Sequence, residues 1–317
     1  MKGLILAGGT GSRIRPFSLY TAKQLLPVLN KPVLFHNIDL LLAGGIVDIG
    51  IVVGPMKDFV VEAINNSVYS ELANIHFIEQ PEPKGLAHAV SASQVFLADD
   101  DFVMILGDNL FTVDTLDLLY VFENSFTEAL VALVQVEEPK RYGIANMENY
   151  HIISVEEKPK VPQSNWAIAG LYIFKSTIHE VIRNLKPSHR NEYEITDAIQ
   201  QVIEKKQTVT PYFLKGYWRD IGTLNDLFDI NIDLLQDINL EGTYFEALFS
   251  SFNLPVLIDK TAVIINSVIG PNVIIGPNTQ IRNSQISNSI VLENTLADGV
   301  NLDNMILSPW GNREVSR

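Results

Sequence analysis

Residues 8–13 read Gly-Gly-Thr-Gly-Ser-Arg, a stretch almost bare of side chains that runs straight into a guanidinium. Glycines at such a place let backbone N–H groups approach a ligand closely and adopt φ > 0 without steric cost. Successive amides aimed one way form a cradle for an anion. Arg13 follows Gly8, Gly9, Thr10 and Gly11 at once, with Lys23 and Lys31 downstream. Residues 1–38 hold Lys2, Arg13, Arg15, Lys23 and Lys31 and no acidic residue, in a chain of formal net charge −14. A positive patch inside so acidic a protein suits a polyphosphate. The pattern is neither the dinucleotide fingerprint nor a P-loop: the third glycine is misplaced, and no Gly-Lys-Ser/Thr follows. For the glycines alone, a tight surface turn is the plain alternative.

Further along, polar residues sit where apolar runs stop. Gln80, Pro81 and Gly85 follow the run Ile75–Ile78; a Gln amide can pair with a base edge or stay solvated in a loop. Phe102–Leu106 ends in Gly107-Asp108-Asn109, good turn chemistry and equally a place for a Mg²⁺-binding carboxylate. Glu156-Glu157-Lys158-Pro159 reads as a solvated turn or a charged site. Arg190 to Asp197 and Trp218-Arg219-Asp220 pose the same question. No pair of the six histidines has metal-ligand spacing. The absence of cysteine excludes disulfides, thiol chemistry and Cys-based zinc sites.

Two segments carry a family resemblance: Leu6-Ala7-Gly8-Gly9-Thr10-Gly11-Ser12-Arg13 with Pro16, and Lys23-Gln24-Leu25-Leu26-Pro27 with Lys31-Pro32. They resemble the signature of the sugar-1-phosphate nucleotidylyltransferases, above all the thymidylyl-transferring members with an added C-terminal segment. Ser12 and Ile14 stand where the family usually has Thr and Leu. The resemblance implies a nucleotide site made of Leu6, Ala7, Gly8, Gly9, Thr10, Gly11, Gln80, Pro81, Gly85 and Asp108. It implies catalytic roles for Arg13, Lys23 and Lys158. It places the sugar phosphate on Asn109, Gly143, Glu157, Lys158, Ala169, Gly170, Tyr172, Arg190 and Trp218, with Glu192 on a sugar hydroxyl. It makes Asp108 and Asp220 the ligands of Mg²⁺. Asn191 replaces a common Gly and tolerates the same left-handed turn. Arg219 departs from the thymidylyl pattern toward guanylyl- and uridylyltransferase relatives. The implied reaction is Mg²⁺-dependent transfer from dTTP to glucose 1-phosphate, giving dTDP-glucose and pyrophosphate. UTP, GTP or another sugar phosphate is the enzymatic alternative. A regulatory subunit that only binds nucleotide sugars is the non-catalytic one, and the joint presence of Arg13, Lys23, Asp108, Lys158 and Asp220 speaks against it.

The elements that must position these residues are legible as periodicity. Leu4–Ala7, Ile49–Val53, Ile75–Ile78 and Phe102–Leu106 read as buried strands, alternating with helices at 32–43, 58–65 and from Leu86. Such alternation predicts helices on both faces of a parallel sheet, with ligands beyond the strands' C-terminal ends. A helix near Val113–Phe126, a strand at Ala129–Val136, a hairpin of Arg141–Ala145 with Ile152–Val155, and a strand at Trp166–Phe174 follow. A helix carries Ile199, Val202 and Ile203. Thr223 and Asp226 form a capping box for a helix at 224–236. Beyond Ser251, Leu257, Val263, Ile269, Ile275 and Ile281 recur every six residues and Ile286, Val291 and Leu296 every five, beside two copies of Gly-Pro-Asn. This is a hexapeptide β-helix signature. The expected fold is α/β: a Rossmann-like mixed sheet with flanking helices over 1–250, then a short left-handed β-helix and tail over 251–317. The coil suits packing on its own catalytic domain or homo-oligomer assembly. The acidic balance argues against nucleic acid, and no run is long enough to span a membrane, so cytoplasm is the expected location.

Overall fold

A computed structural model describes residues 1–237 and 246–315. The chain forms two compact units. The first takes Met1–Thr10 and Leu34–Trp218; the second takes Gly11–Val33 and the chain from Arg219 onward. Composition divides the chain at residue 251, but the strand Glu246–Leu248 already pairs in parallel with Val263–Ile265 of the coil. The compact units divide it differently and gather 11–33 and 219–237 with the coil.

The first unit is a nine-stranded mixed sheet with helices. Its strands are β1 (Lys2–Ala7), β2 (Asp48–Val53), β3 (Asn74–Glu79), β4 (Phe102–Leu106), β5 (Ala129–Gln135), β6 (Gly143–Glu148), β7 (His151–Glu157), β8 (Trp166–Phe174) and β9 (Val209–Phe213). The order is β7-β6-β8-β4-β1-β2-β3, with β5 joining β8 to β9. β1 pairs in parallel with β2 on one side and β4 on the other, so the order reverses at β1. Such a switch point opens a crevice at the strands' C-terminal ends. Helices α1 (Val33–Ala43), α2 (Lys57–Asn65), α3 (Leu86–Ala92), α4 (Thr115–Glu123), α5 (Ile178–Arg183) and α6 (Ile195–Glu204) supply the apolar faces. Leu4, Met104, Val131, Phe174 and Ile199 belong to one shared core.

The differences from the sequence reading have local causes. α4 is shorter than expected because the Asp114 side chain caps it, accepting from the amides of Leu116 (3.0 Å) and Asp117 (3.2 Å). Arg141 belongs to a 3₁₀ turn, so β6 starts at Gly143. β9 was hidden by Pro211, which an edge strand tolerates because it need not donate on both sides.

The second unit contains α7 (Leu224–Leu235), capped by the expected Thr223–Asp226 box, and the coil. The coil stacks short parallel strands in three columns: Ile258, Ile275 and Val291; Ile264, Ile281 and Ala297; Ile269, Ile286 and Leu302. The inward residues therefore step by five or six. Six residues back from Ile269, or five on from Val291, lands one residue early, because those two steps are five and six respectively, and a one-residue slip reverses the face. Leu257 and Val263 are only half-buried and Leu296 is 71 % exposed, while Ile258, Ile264 and Ala297 line the core. Asparagines in left-handed geometry turn the corners. Their side chains hydrogen-bond along the stack, Asn266 to Asn283 and Asn272 to Asn288 at 2.8 Å each. The 11–33 segment is tied into this unit: Asn231 of α7 accepts from the Leu29 amide (2.8 Å) and donates to the Pro27 carbonyl (3.1 Å). Asn30 donates to the Ile275 carbonyl (2.9 Å), and Tyr20 stacks on Trp310.

Candidate active site

The switch point gathers the first group of expected residues. Leu6 and Ala7 are buried at the end of β1, and Gly9 and Thr10 are exposed beyond it. The Gly107 amide donates to the Leu6 carbonyl (3.0 Å), setting Asp108 next to the glycine loop. A Cβ on Gly54 would lie 2.4 Å from the Gly8 carbonyl oxygen, so the loops after β1 and β2 touch backbone to backbone. The Gln80 amide continues the β3 ladder onto the Val53 carbonyl (3.0 Å), and the Gln80 side chain turns toward Gly8. Gly85 has φ +103°, and a Cβ there would sit 2.5 Å from the Tyr193 carbonyl oxygen, so only glycine fits. Pro81 is exposed.

A second group hangs on one indole. Trp218 donates from Nε1 to the Ala169 carbonyl (2.7 Å) and to Asn109 Oδ1 (3.0 Å). Asn109 in turn donates to Asp108 Oδ1 (2.9 Å), so the carboxylate is oriented by a buried neighbour. The Ala169 carbonyl is available because β8 shifts register against β5 between Ile168 and Tyr172, with Gly170 at φ +81°. Bulges of this kind re-aim a strand next to a site. Tyr172 lies inside the core, stacked on Phe174; burial drives its phenol well above the usual range, with the Glu157 charge adding to the shift.

The third group is a charge cluster. Arg190 reaches Glu157 (3.4 Å), Glu192 (3.3 Å) and Glu194 (3.3 Å), and Lys158 lies 3.8 Å from Glu157. Thr196 donates to Glu157 (3.3 Å). Burial pushes the Glu157 carboxyl above the usual glutamate range and Glu194 adds to the shift, against the opposing pull of Lys158, Arg190 and Thr196. Gly143 is required by this cluster: a Cβ there would stand 2.8 Å from Thr196 and 3.1 Å from Glu157. Lys158 holds φ +45° without being glycine, a strained geometry of the kind that collects at functional sites. Asn191 takes φ +59°, the left-handed turn the sequence suggested.

The remaining expected residues belong to the second unit. Gly11, at φ +61°, packs against Ser18 and Lys23; a Cβ would meet theirs at 3.0 and 3.2 Å. Lys23 is buried, whereas Arg13 is exposed and makes no ion pair with any described residue. The Cβ position of Gly222 lies 3.4 Å from Asp220 Oδ2 and 3.6 Å from Arg13 Nη1, so these two side chains flank one glycine. Arg219 points elsewhere, 3.8 Å from Asp233 of α7. Among the described residues, no three His, Cys, Asp or Glu side chains form a ready-made metal cage. Sequence reasoning passed over Glu194, Thr196, His88 and Asn231. Only the acidic residues at every second position after Arg190 signalled any of them.

Comparison with known proteins follows the same lines. The model of the nucleotidyl transferase family matches residues 2–237. The chain is 37 % identical to glucose-1-phosphate thymidylyltransferase of Streptomyces antibioticus, over 95 % of this chain and 89 % of the relative. It is 40 % identical to the Streptomyces griseus enzyme of the same name, over 90 % and 81 %. A Bacillus anthracis crystal structure assigned to glucose-1-phosphate thymidylyltransferase, in complex with sucrose, superposes with a TM-score of 0.69 at 38 % identity. It covers 76 % of this chain and 97 % of that one.

Proposed function

The chain belongs to the nucleotidyl transferase family, and we propose that it transfers a thymidylyl group from dTTP to glucose 1-phosphate, releasing pyrophosphate and forming dTDP-glucose. One observation carries the reading. Within the first unit, a glycine loop, Gln80 and Asp108 meet where the strand order reverses, as a nucleotide site requires.

A sugar-phosphate oxygen attacks the α-phosphorus in line and the bond to pyrophosphate breaks. Such transfers need positioning and charge stabilisation rather than a protein nucleophile. The Gly8–Gly11 amides and Arg13 hold the pyrophosphate as its charge grows. Lys23 and Lys158 offset charge on the phosphates. Arg190 binds the sugar phosphate, Glu157 and Glu192 accept from sugar hydroxyls, and Asn109 supports the pocket beside Ala169.

The acidic groups suit Mg²⁺. Asp108 and Asp220 are hard oxygen donors, and Asp108 is held by Asn109 as a ligating carboxylate usually is. Mg²⁺ commonly takes one or two carboxylates and completes its shell with substrate oxygens and water. When bound there, the ion would screen phosphate charge and polarise the α-phosphoryl oxygens. Among the described residues no helix is long and apolar enough to cross a membrane.

Pyrophosphate release, measured for each NTP against glucose 1-phosphate and mannose 1-phosphate, tests the reading. Turnover peaks with dTTP and glucose 1-phosphate; a peak at another pair replaces those substrates, and release with none refutes the activity. The coil, which carries no histidine for acyl transfer, serves assembly: a chain ending at 254 has fewer subunits per particle by sedimentation, and an unchanged subunit number removes that role.

A further inference from the structure

We infer that His88 sets base selection at one remove, by locking the Gln80 amide so that only its carbonyl oxygen meets the base. This rests on the nucleotide site proposed above. A Gln amide offers two N–H donors and one acceptor, and which end faces a ligand depends on its neighbours. Gln80 Nε2 lies 3.2 Å from the Gly85 carbonyl oxygen, which can only accept, so the group there must be the NH₂. The same nitrogen lies 3.0 Å from His88 Nδ1. With Nε2 donating, Nδ1 carries the lone pair and the imidazole proton sits on its Nε2. Both amide hydrogens are thus used inside the protein.

What remains is Oε1. No described residue donates to it, and it lies 3.3 Å from the Cβ position of Gly8, on the side of the glycine loop. His88 is itself held, in the first turn of α3 with its ring stacked on Tyr193 at 6.3 Å. Tyr193 is fixed by two backbone hydrogen bonds, its amide to the Lys84 carbonyl (2.7 Å) and its carbonyl from the Ala87 amide (3.0 Å). The lock is therefore anchored on two chain segments.

An acceptor presented alone discriminates by chemistry. Thymine and uracil carry N–H at N3 and guanine carries it at N1. Cytosine N3 and adenine N1 carry lone pairs and would face Oε1 acceptor to acceptor. A buried polar group left unpaired rejects the wrong ligand more strongly than a missing apolar contact does. His88 is a positioning residue: it touches Gln80 and leaves the base to Gln80.

The test compares kcat/KM for dTTP with that for dCTP, glucose 1-phosphate being the second substrate, in wild type, His88→Ala and His88→Asp. The ratio cancels the concentration of active enzyme, so a partly unfolded variant does not disturb it. In His88→Ala the amide keeps only the Gly85 carbonyl as a hold, turns more readily to offer Nε2, and the dTTP:dCTP ratio falls by about tenfold or more. His88→Asp places an obligate acceptor at the same position, in a helix turn that favours negative charge, and keeps the wild-type ratio. An unchanged ratio in His88→Ala overturns the inference, as does an Asp variant that falls as far as the Ala one. A wild type that releases pyrophosphate from no nucleotide overturns the reading beneath it, and the inference with it.

Discussion

The two compact units use aliphatic residues in different ways. In the sheet unit, long apolar strands are buried on both faces, as in Phe102–Ile105, and chemistry appears where those strands stop. In the coil unit each short side contributes one inward residue, and the charged candidates Arg13, Lys23 and Asp220 lie outside the coil altogether. In the sheet unit the candidate residues stand on the strand ends. The coil gives backbone and ring partners to the segment that bears Arg13 and Lys23, through Ile275 and Trp310. A fold can thus present candidate residues itself or brace the chain that bears them.

Substitutions can break that contrast. The largest effect is expected from Asp108→Asn, which costs several kcal/mol of transition-state stabilisation, about a thousandfold in turnover, while the melting curve stays put. Robust pyrophosphate release in that variant would remove the metal role from the sheet unit. Arg13→Ala in the other unit should lower kcat/KM by about a hundredfold or more, also without loss of fold. Within the coil, Ile281→Ala, at 0 % exposure, should cost about 2–5 kcal/mol in denaturant unfolding. Leu296→Ala should cost no more than about 0.5 kcal/mol. Equal costs would mean that Leu296 rather than Ala297 faces the core. Asn231→Ala cuts the ties to Pro27 and Leu29, for about 1–3 kcal/mol. It should raise KM for dTTP more than KM for glucose 1-phosphate; a uniform rise would show that bracing 11–33 matters equally to both substrates.

The smallest effect is one of pH. Burial and Glu194 raise the Glu157 carboxyl above its ordinary 4.5, so on acidification it takes up a proton earlier than an exposed glutamate would. Its hydrogen bonding to sugar hydroxyls fades first, and kcat/KM for glucose 1-phosphate should begin to fall above pH 4.5. Glu157→Gln should lack that acid limb. The stability sign is opposite: the folded chain binds this proton more tightly than the unfolded one. The group's contribution is therefore lost as pH rises from 4.5 through the folded pKa.

Much of this architecture was readable in advance, and the failures are instructive. Phe102–Leu106 and Trp166–Phe174 were located to the residue because both are apolar throughout and end at turns. Nothing in Ala169-Gly170 announces a bulge, since a glycine in an apolar run also suits a plain core strand; the register against β5 decides it. His88 stayed unassigned because its partner Gln80 lies across a loop with two prolines. The coil's repeat was plain but its inward face was not, because periodicity near six leaves the phase open by one residue. The grouping of 11–33 with the coil left no local trace, since Asn231 lies some two hundred positions from its partners.

That distance bears on how the protein is made. Gly11–Val33 leaves the ribosome some two hundred residues or more before the groups that hold it, Asn231, Ile275 and Trp310. A nascent chain that has reached Trp218 already has every strand of the sheet, which can fold during synthesis. Its Arg13 and Lys23 have not yet met their supports. A chain cut short after Trp218 would have every strand of the sheet and none of the partners that brace the segment bearing Arg13 and Lys23.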